Sequence, residues 1–427
     1  MALNPYAEPY LGRQYYLNHI GDIFGAWKKY TGKGITIAVI DKGFDVDHPE
    51  FQYADGTSKV STDSASFTTN DYGQTSVAVG RDKAKNMDES HGTFCAGVAA
   101  AAANGKGTIG IAPDAELLLL KTDGKPKSIA KAFYYAADHG AKVVTISIGH
   151  YYNYGRDVGK FGDLVDDGSD LGTVFDAPVL YCVNHGIPVI SAAGNGGLDD
   201  IPTEFTFPGC VDNVIGAGGL AANSSNRIWG GSSYNSSPEW PFVDVVAPAD
   251  GMFGPCNYGS KYDGGWVGTS FASPIVAGMA ALYFEAHPDK TVAEFTKALY
   301  DSCDHFTPVG GVPAANQIGA GRVDVGALLG IPSSKYVVNC ETSWSSCNAY
   351  YWNSKTGEEF ASWPGVPMPK KNGVYSLEIP AKYDMVIFNS QSSQSADLLV
   401  SSFGENVTYT LKNGVTENGY ILGSYKR

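Results

Sequence analysis

A serine sits in Gly268-Thr269-Ser270-Phe271-Ala272-Ser273-Pro274-Ile275-Val276-Ala277-Gly278, a Gly-rich turn opening into an apolar helix of small residues. A serine hydroxyl is a weak nucleophile at neutral pH. It needs a base within hydrogen-bond reach, and that base needs an orienting partner. Both lie upstream. Ile37-Ala38-Val39-Ile40-Asp41 ends a short apolar run on a carboxylate, and His91-Gly92-Thr93 puts an imidazole at a helix start. His91 would take the proton of Ser270, and Asp41 would fix the imidazole tautomer and stabilise imidazolium. A fourth segment, Ser191-Ala192-Ala193-Gly194-Asn195-Gly196, places an amide at a strand end. The Asn195 side-chain N–H and the Ser270 backbone N–H would bind the oxyanion of a tetrahedral intermediate.

Each piece has a structural reading when taken alone. A strand-end Asp caps turns, a His before Gly-Thr packs, and Gly-Thr-Ser and Asn-Gly are favoured turn sequences. The four together, in this order and context, point to acyl transfer. The residues are distant in sequence, so a fold must join them. Residues 35–40, 142–148, 187–193, 214–217 and 243–247 read as short buried strands. Ile129, Ala132, Phe133, Ala136 and Ala137 recur at helical spacing between them, and Gly140 suits the stop. Strands alternating with helices predict an α/β fold, a parallel sheet covered on both faces. Ligands in such sheets sit beyond the carboxyl ends of the strands, which puts Asp41, Gly149 and Asn195 on one rim.

With 427 residues and 43% hydrophobic content the chain can build a large core, and disorder is excluded as a general state. The net charge of −14 repels phosphate backbones and argues against nucleic-acid partners. No run of 18 or more apolar residues suggests a membrane span. Met1 is not followed by a basic-then-apolar leader, so the start reads as mature or recombinant, with any signal or pro-segment outside it. The 7 cysteines leave one unpaired, taken as Cys95. Cys340 and Cys347 could close a small loop, and Cys182, Cys210, Cys256 and Cys303 two further bridges of open connectivity. Disulfides would fit a secreted, extracellular setting.

Composition shifts at Gly330-Ile331-Pro332-Ser333-Ser334, which reads as a linker between residues 1–332 and a module at 335–427. Short strands with Gly/Asn/Ser turns follow, at Tyr336–Val338, Ala349–Trp352, Val374–Ile379, Met385–Asn389 and Val407–Leu411, predicting a small all-β sandwich. Tyr350 and Trp352 share one strand face. Aromatic faces stack on sugar rings and amides bond hydroxyls, so the module could be a carbohydrate platform. The alternative is that these aromatics are sandwich core.

The segments around Asp41, His91, Asn195 and Ser270 resemble the subtilisin-like serine proteases over roughly residues 10–330. The resemblance implies a subtilisin-like α/β fold and cleavage of protein or peptide substrates. A substrate strand would pair with Ser147-Ile148-Gly149. Ala192, Ala193 and Gly194 would line a small neutral pocket suited to large apolar residues before the cut. It also implies a structural Ca2+ on the loop after the His91 helix, held by Glu50, Ala102, Asn104, Lys106 and Thr108. A catalytic metal on Asp45, His48 and His91 is the weaker alternative there. Cys95 resembles the thiol of variants near proteinase K, and Lys42 departs from the small residue common beside the catalytic acid. Residues 151–177, with Tyr151, Tyr152, Tyr154, Asp163, Asp166, Asp167 and Asp170, read as an insertion. It would be a cleft wall favouring basic substrate positions or holding a cation, or else a solvated loop.

The C-terminal series resembles starch-binding modules of carbohydrate-binding family 26. That implies an α-glucan or other polysaccharide ligand stacked on Tyr350, Trp352 and Trp363, with Asn389 and Gln394 as polar contacts. Two further readings remain: a catalytically silent polysaccharide-binding surface protein, and a processing protease for one partner.

Overall fold

In a computed structural model of the chain, the described residues are 3–152, 171–203, 205–222, 227–236, 241–308, 313–331, 335–354, 357–380, 383–390, 393–400, 408–417 and 420–426. They form two compact units, Met1–Ile331 and Pro332–Arg427.

The first unit is built on an eight-stranded sheet. Its spatial order is Val245–Pro248, Val214–Leu220, Val189–Ala192, Val143–Ile146, Thr36–Asp41, Glu116–Thr122, Ala65–Thr69 and Thr75–Val79. All neighbours pair in parallel except the last two strands, which form an antiparallel edge hairpin. The central strand shows why its sequence reads as an unbroken apolar run. Ile37 and Val39 face one core with the helices His91–Ala100 and Ala272–Ala286, while Ala38 and Ile40 face another with Pro126–Asp138 and Leu171–Asn184. Both faces are covered, so period-two alternation disappears. Ile129, Ala132, Phe133 and Ala136 are the buried stripe of Pro126–Asp138, as their spacing predicts. The sheet thus carries Asp41, Ser147 and Ala192 to the same carboxyl-end rim.

The second unit packs a five-stranded sheet against a four-stranded one. Val338, Cys340, Tyr375 and Ile379 from the first meet Ala349, Tyr351, Val386 and Phe388 from the second in one apolar core. In Asn348–Trp352 the inward residues are Ala349 and Tyr351, leaving Asn348, Tyr350 and Trp352 on the outer face.

The cysteine expectation needs correction. All seven are free thiols, six of them buried. Cys182 and Cys303 donate to helix carbonyls of Phe133 and Leu299, each within its own helical layer, so they do not meet. Cys340 and Cys347 do lie side by side, bonded as thiols inside the module core.

Candidate active site

Asp41 ends the central strand and is fully buried. The carboxylate accepts the Lys42 N–H at 2.8 Å and faces His91 Nδ1 at 2.9 and 3.1 Å. His91 is the first residue of its helix, where Gly92 is required by contact. A Cβ at Gly92 would stand 2.4 Å from the Gly43 carbonyl oxygen, so only glycine lets the helix start against the Asp41 turn. Thr93 completes the clamp by accepting the Asp45 N–H at 2.8 Å. Asn257 braces the preceding loop, donating to the Met87 and Glu89 carbonyls at 2.8 and 2.9 Å. Burial disfavours the imidazolium, but the Asp41 carboxylate and the Cys95 sulfur outweigh it and hold the His91 pKa well above its ordinary value.

Ser270 lies in the turn entering Ala272–Ala286, after Gly268 at φ +147°, a conformation that side chains rarely adopt. Its hydroxyl donates to the Ser147 carbonyl at 3.1 Å, and Ser147 Oγ donates back to the Ser270 carbonyl at 2.7 Å. Cys95 Sγ reaches the same carbonyl at 3.4 Å and His91 Nδ1 at 4.0 Å, so the buried thiol touches both the base and the backbone of the nucleophile's turn. The bond from Ser270 Oγ to His91 is not formed in this rotamer. Side chains rotate about Cα–Cβ among three staggered wells, and such bonds often tighten only with substrate. Asn195 Oδ1 accepts the Thr269 N–H and hydroxyl, both at 2.9 Å. That pins the amide with Nδ2 toward the Gly268 backbone, at 3.6 Å from a Cβ built there.

Along the cleft, Ser147 is buried, Ile148 half-buried against the core and Gly149 exposed. Gly149 backs onto the Phe207 carbonyl oxygen, 2.3 Å from a built Cβ. Ala193 is a correction to the pocket expectation. Its side chain is fully buried among Leu220, Ile228, Phe242 and Val243, just past the end of the strand Val189–Ala192. A pocket there can use the Ala193 backbone, not its methyl. The insertion call falls mostly on residues 153–170, outside the described residues.

The catalytic-metal alternative fails on its donors. Asp45 pairs with Lys261 at 2.8 Å, while His48 uses one ring nitrogen on Glu50 N–H and the other on the Lys261 carbonyl. The loop after the His91 helix is different. Glu50 is fully buried, and one oxygen accepts the Thr108 N–H at 2.8 Å and the Tyr262 hydroxyl at 2.6 Å. Its other oxygen and the Thr108 hydroxyl are buried without a partner among the described residues. Burial, and then the charge of Glu8, push the Glu50 pKa up to about 7 against the bonds from Tyr262 and Thr108. Asn104 donates to the Pro49 and Gln52 carbonyls at 2.9 and 2.8 Å, and its Oδ1 accepts Lys106 N–H at 3.0 Å. Lys106 turns its ammonium outward to Gln52 at 3.2 Å, leaving the loop interior to oxygen. Ala102 is buried at the loop start, its N–H donated to the Glu50 carbonyl at 2.9 Å. Two buried carboxylates with an orphaned oxygen suit a hard cation, so the donor set fits calcium.

Two residues of this corner escaped the sequence reading. Glu8 accepts the Gly105 and Gly107 N–H groups at 2.6 and 3.1 Å. Lys59 is fully buried, donates to the Ala100 carbonyl at the end of the His91 helix and to Pro113 at 2.7 Å, and has its pKa pushed down by burial to about 7. Neither carries a motif; a carboxylate in an irregular N-terminal stretch and a lysine in a loop give no periodic signal.

On the module, Tyr350 lies 5.5 Å from Trp352 and 5.3 Å from Trp363 between ring centroids. Trp363 is 51% exposed, so the cluster lies at the surface and not in the core. Asn389 is a correction: it is fully buried and donates to the Pro364 carbonyl at 2.9 Å, which fixes the loop bearing Trp363 and leaves it no face for a ligand. Gln394 is half-buried and bridges to Asn389 through the backbone.

Residues 32–321 match the subtilase family, and residues 338–399 match starch-binding module 26. An intracellular serine protease of Paenibacillus polymyxa is 32% identical over 262 residues, 60% of this chain and 68% of the relative. Subtilisin NAT of Bacillus subtilis subsp. natto is 32% identical over 282 residues, covering 65% and 62% of the two chains. Among solved structures, fervidolysin of Fervidobacterium pennivorans, a keratinolytic enzyme related to subtilisin, has a TM-score of 0.58 at 21% identity, covering 91% of this chain and 56% of that one. The epidermin leader peptide processing protease of Staphylococcus aureus has a TM-score of 0.59 at 21% identity, covering 77% and 82%. At those identities the solved structures speak to the fold. Among the described residues no helix is long and apolar enough to cross a membrane.

Proposed function

The chain belongs to the subtilase family of serine proteases and carries a starch-binding module, and from that premise we propose a secreted endopeptidase that works through Asp41, His91 and Ser270. The observation that carries the reading is the His91 Nδ1 contact with Asp41 at 2.9 Å beside a serine tied to the end of the substrate strand at 3.1 Å. His91 takes the Ser270 proton through its other nitrogen as the hydroxyl attacks the peptide carbonyl. Asn195 and the Ser270 N–H receive the oxyanion, and His91 returns the proton to the leaving amine. Peptide backbone pairs at Ser147-Ile148-Gly149. The side chain before the cut enters beside Ala192 and Gly194, a small neutral opening that favours large apolar residues.

Calcium held by Glu50, Asn104 and the carbonyls of Ala102, Lys106 and Thr108, with Glu8 beside them, would fasten the loop behind the His91 helix. Its role is structural charge neutralisation, remote from the reacting atoms. The module, residues 335–427, would dock Tyr350, Trp352 and Trp363 on α-glucan and so raise the concentration of protein substrate near a polysaccharide surface. Casein digestion, with insoluble-starch retention measured alongside, tests the proposal. Cleavage lost in Ser270→Ala with retention unchanged supports it. Starch retention without cleavage by the unmodified protein would favour a silent binding protein instead, and cleavage of a single protein from a diverse mixture a processing enzyme.

A further inference from the structure

Resting on the peptidase reading above, we infer that Lys42 makes the cleft select an acidic side chain at the second substrate residue before the cut. Lys42 is held at both ends of its backbone: its N–H donates to Asp41 at 2.8 Å, and its carbonyl accepts from Asn86 at 3.1 Å. The side chain is exposed and runs over Gly124, with Cε 3.8 Å from a Cβ built there. The ammonium also acts electrostatically on His150, the residue after Ser147-Ile148-Gly149. Lys42 therefore lies between the turn after Glu116–Thr122 and the segment that would take the substrate backbone.

The other cations of this rim are engaged. Lys85 pairs with Asp47 at 2.8 Å, Lys125 donates to the Thr69 carbonyl at 2.9 Å, and Lys121 reaches the Lys85 carbonyl at 3.4 Å. The Lys42 ammonium has no hydrogen-bond or ion-pair partner among the described residues. Neither does His150 Nε2, which is buried. Lys42 is thus the exposed cation along this stretch of cleft that no described partner holds, with His150 Nε2 buried behind it. Side chains alternate along an extended peptide. If the first residue before the cut enters beside Ala192 and Gly194, the second faces the opposite wall, where His91 and the residue after Asp41 stand. The net charge of −14 repels acidic peptides at long range, but that field is screened beyond about 8 Å at physiological salt, and the close Lys42 contact is not.

The test uses three quenched peptides built on a sequence the protein cuts in casein, differing only in Asp, Ala or Lys at that second position. An exposed ion pair is worth up to about a 5-fold change, and repulsion of Lys a similar factor, so the Asp peptide should exceed the Lys peptide by up to about 25-fold in kcat/KM at low salt. Near about 1 M salt, where screening acts within about 3 Å, the ratio should fall to about 2-fold. Lys42→Ser should flatten the order and Lys42→Glu invert it. An Asp-to-Lys ratio unchanged between the unmodified protein and Lys42→Ser overturns the inference while leaving the peptidase intact. Failure to cut casein at all overturns the peptidase reading and this one with it.

Discussion

Raising the pH should destabilise the calcium-free protein between about pH 4.5 and pH 7, and Glu50 sets the magnitude. Its pKa rises from 4.5 to about 7 on folding, so over that window the folded chain binds more protons than the unfolded one. Stability is then full at the acid end and falls as pH rises, flattening above the folded pKa. The shift is close to two and a half units, or about 3 kcal/mol at 1.36 kcal/mol per unit. Glu50 is fully buried, so solvent screening does not reduce this. Glu8, also raised by burial against the loop N–H bonds, works in the same direction. For a unit of this size the loss corresponds to about 6 °C in Tm, taking about 2 °C per kcal/mol. The assay is calorimetry in a chelator across that pH range, repeated with millimolar calcium. Calcium should restore most of the loss at pH 7 and little at pH 5, and Glu50→Gln should remove most of the slope, leaving the share of Glu8, and most of the calcium response. A chelated Tm that stays level from pH 5 to 7, or one that calcium fails to raise at pH 7, would refute the reasoning.

Asn195→Ala should lower kcat by about 10²–10³ with KM little changed, the cost known for an asparagine oxyanion donor in subtilisin; an unchanged rate removes the oxyanion assignment. His91 must be neutral to act as base, and its raised pKa means activity is lost as pH falls through a midpoint above the ordinary 6.5. A kcat/KM profile with its acid limb below 6.5 contradicts the Asp41 contact as the controlling charge. Trp363→Ala should weaken retention on insoluble starch and spare hydrolysis of small peptides, whereas Asn389→Ala should weaken retention only through misplacing Trp363 and should also lower module stability.

The parts of the site that were legible in the sequence are those tied to chain geometry. Asp41 ends an apolar strand, and His91 and Ser270 open small-residue helices, because close packing at those turns admits little else; the Gly92 contact with Gly43 is an instance. Tyr350 and Trp352 were legible from period two. The misses have a common cause. Ala193 and Asn389 were carried over from the family resemblances, but core packing and a loop tie bury their side chains. The edge hairpin Ala65–Thr69 with Thr75–Val79 is partly polar and so lacked an apolar run. Glu8, Lys59 and Tyr262 enter the site through tertiary contacts that no local pattern carries.

Active-site labelling reads the central claim most directly. A serine-directed fluorophosphonate, followed by peptide mass spectrometry, should modify Ser270 alone among the serines, and the label should be lost in His91→Ala. Proteolysis that persists with Ser270 unlabelled, or labelling that does not depend on His91, would contradict the account.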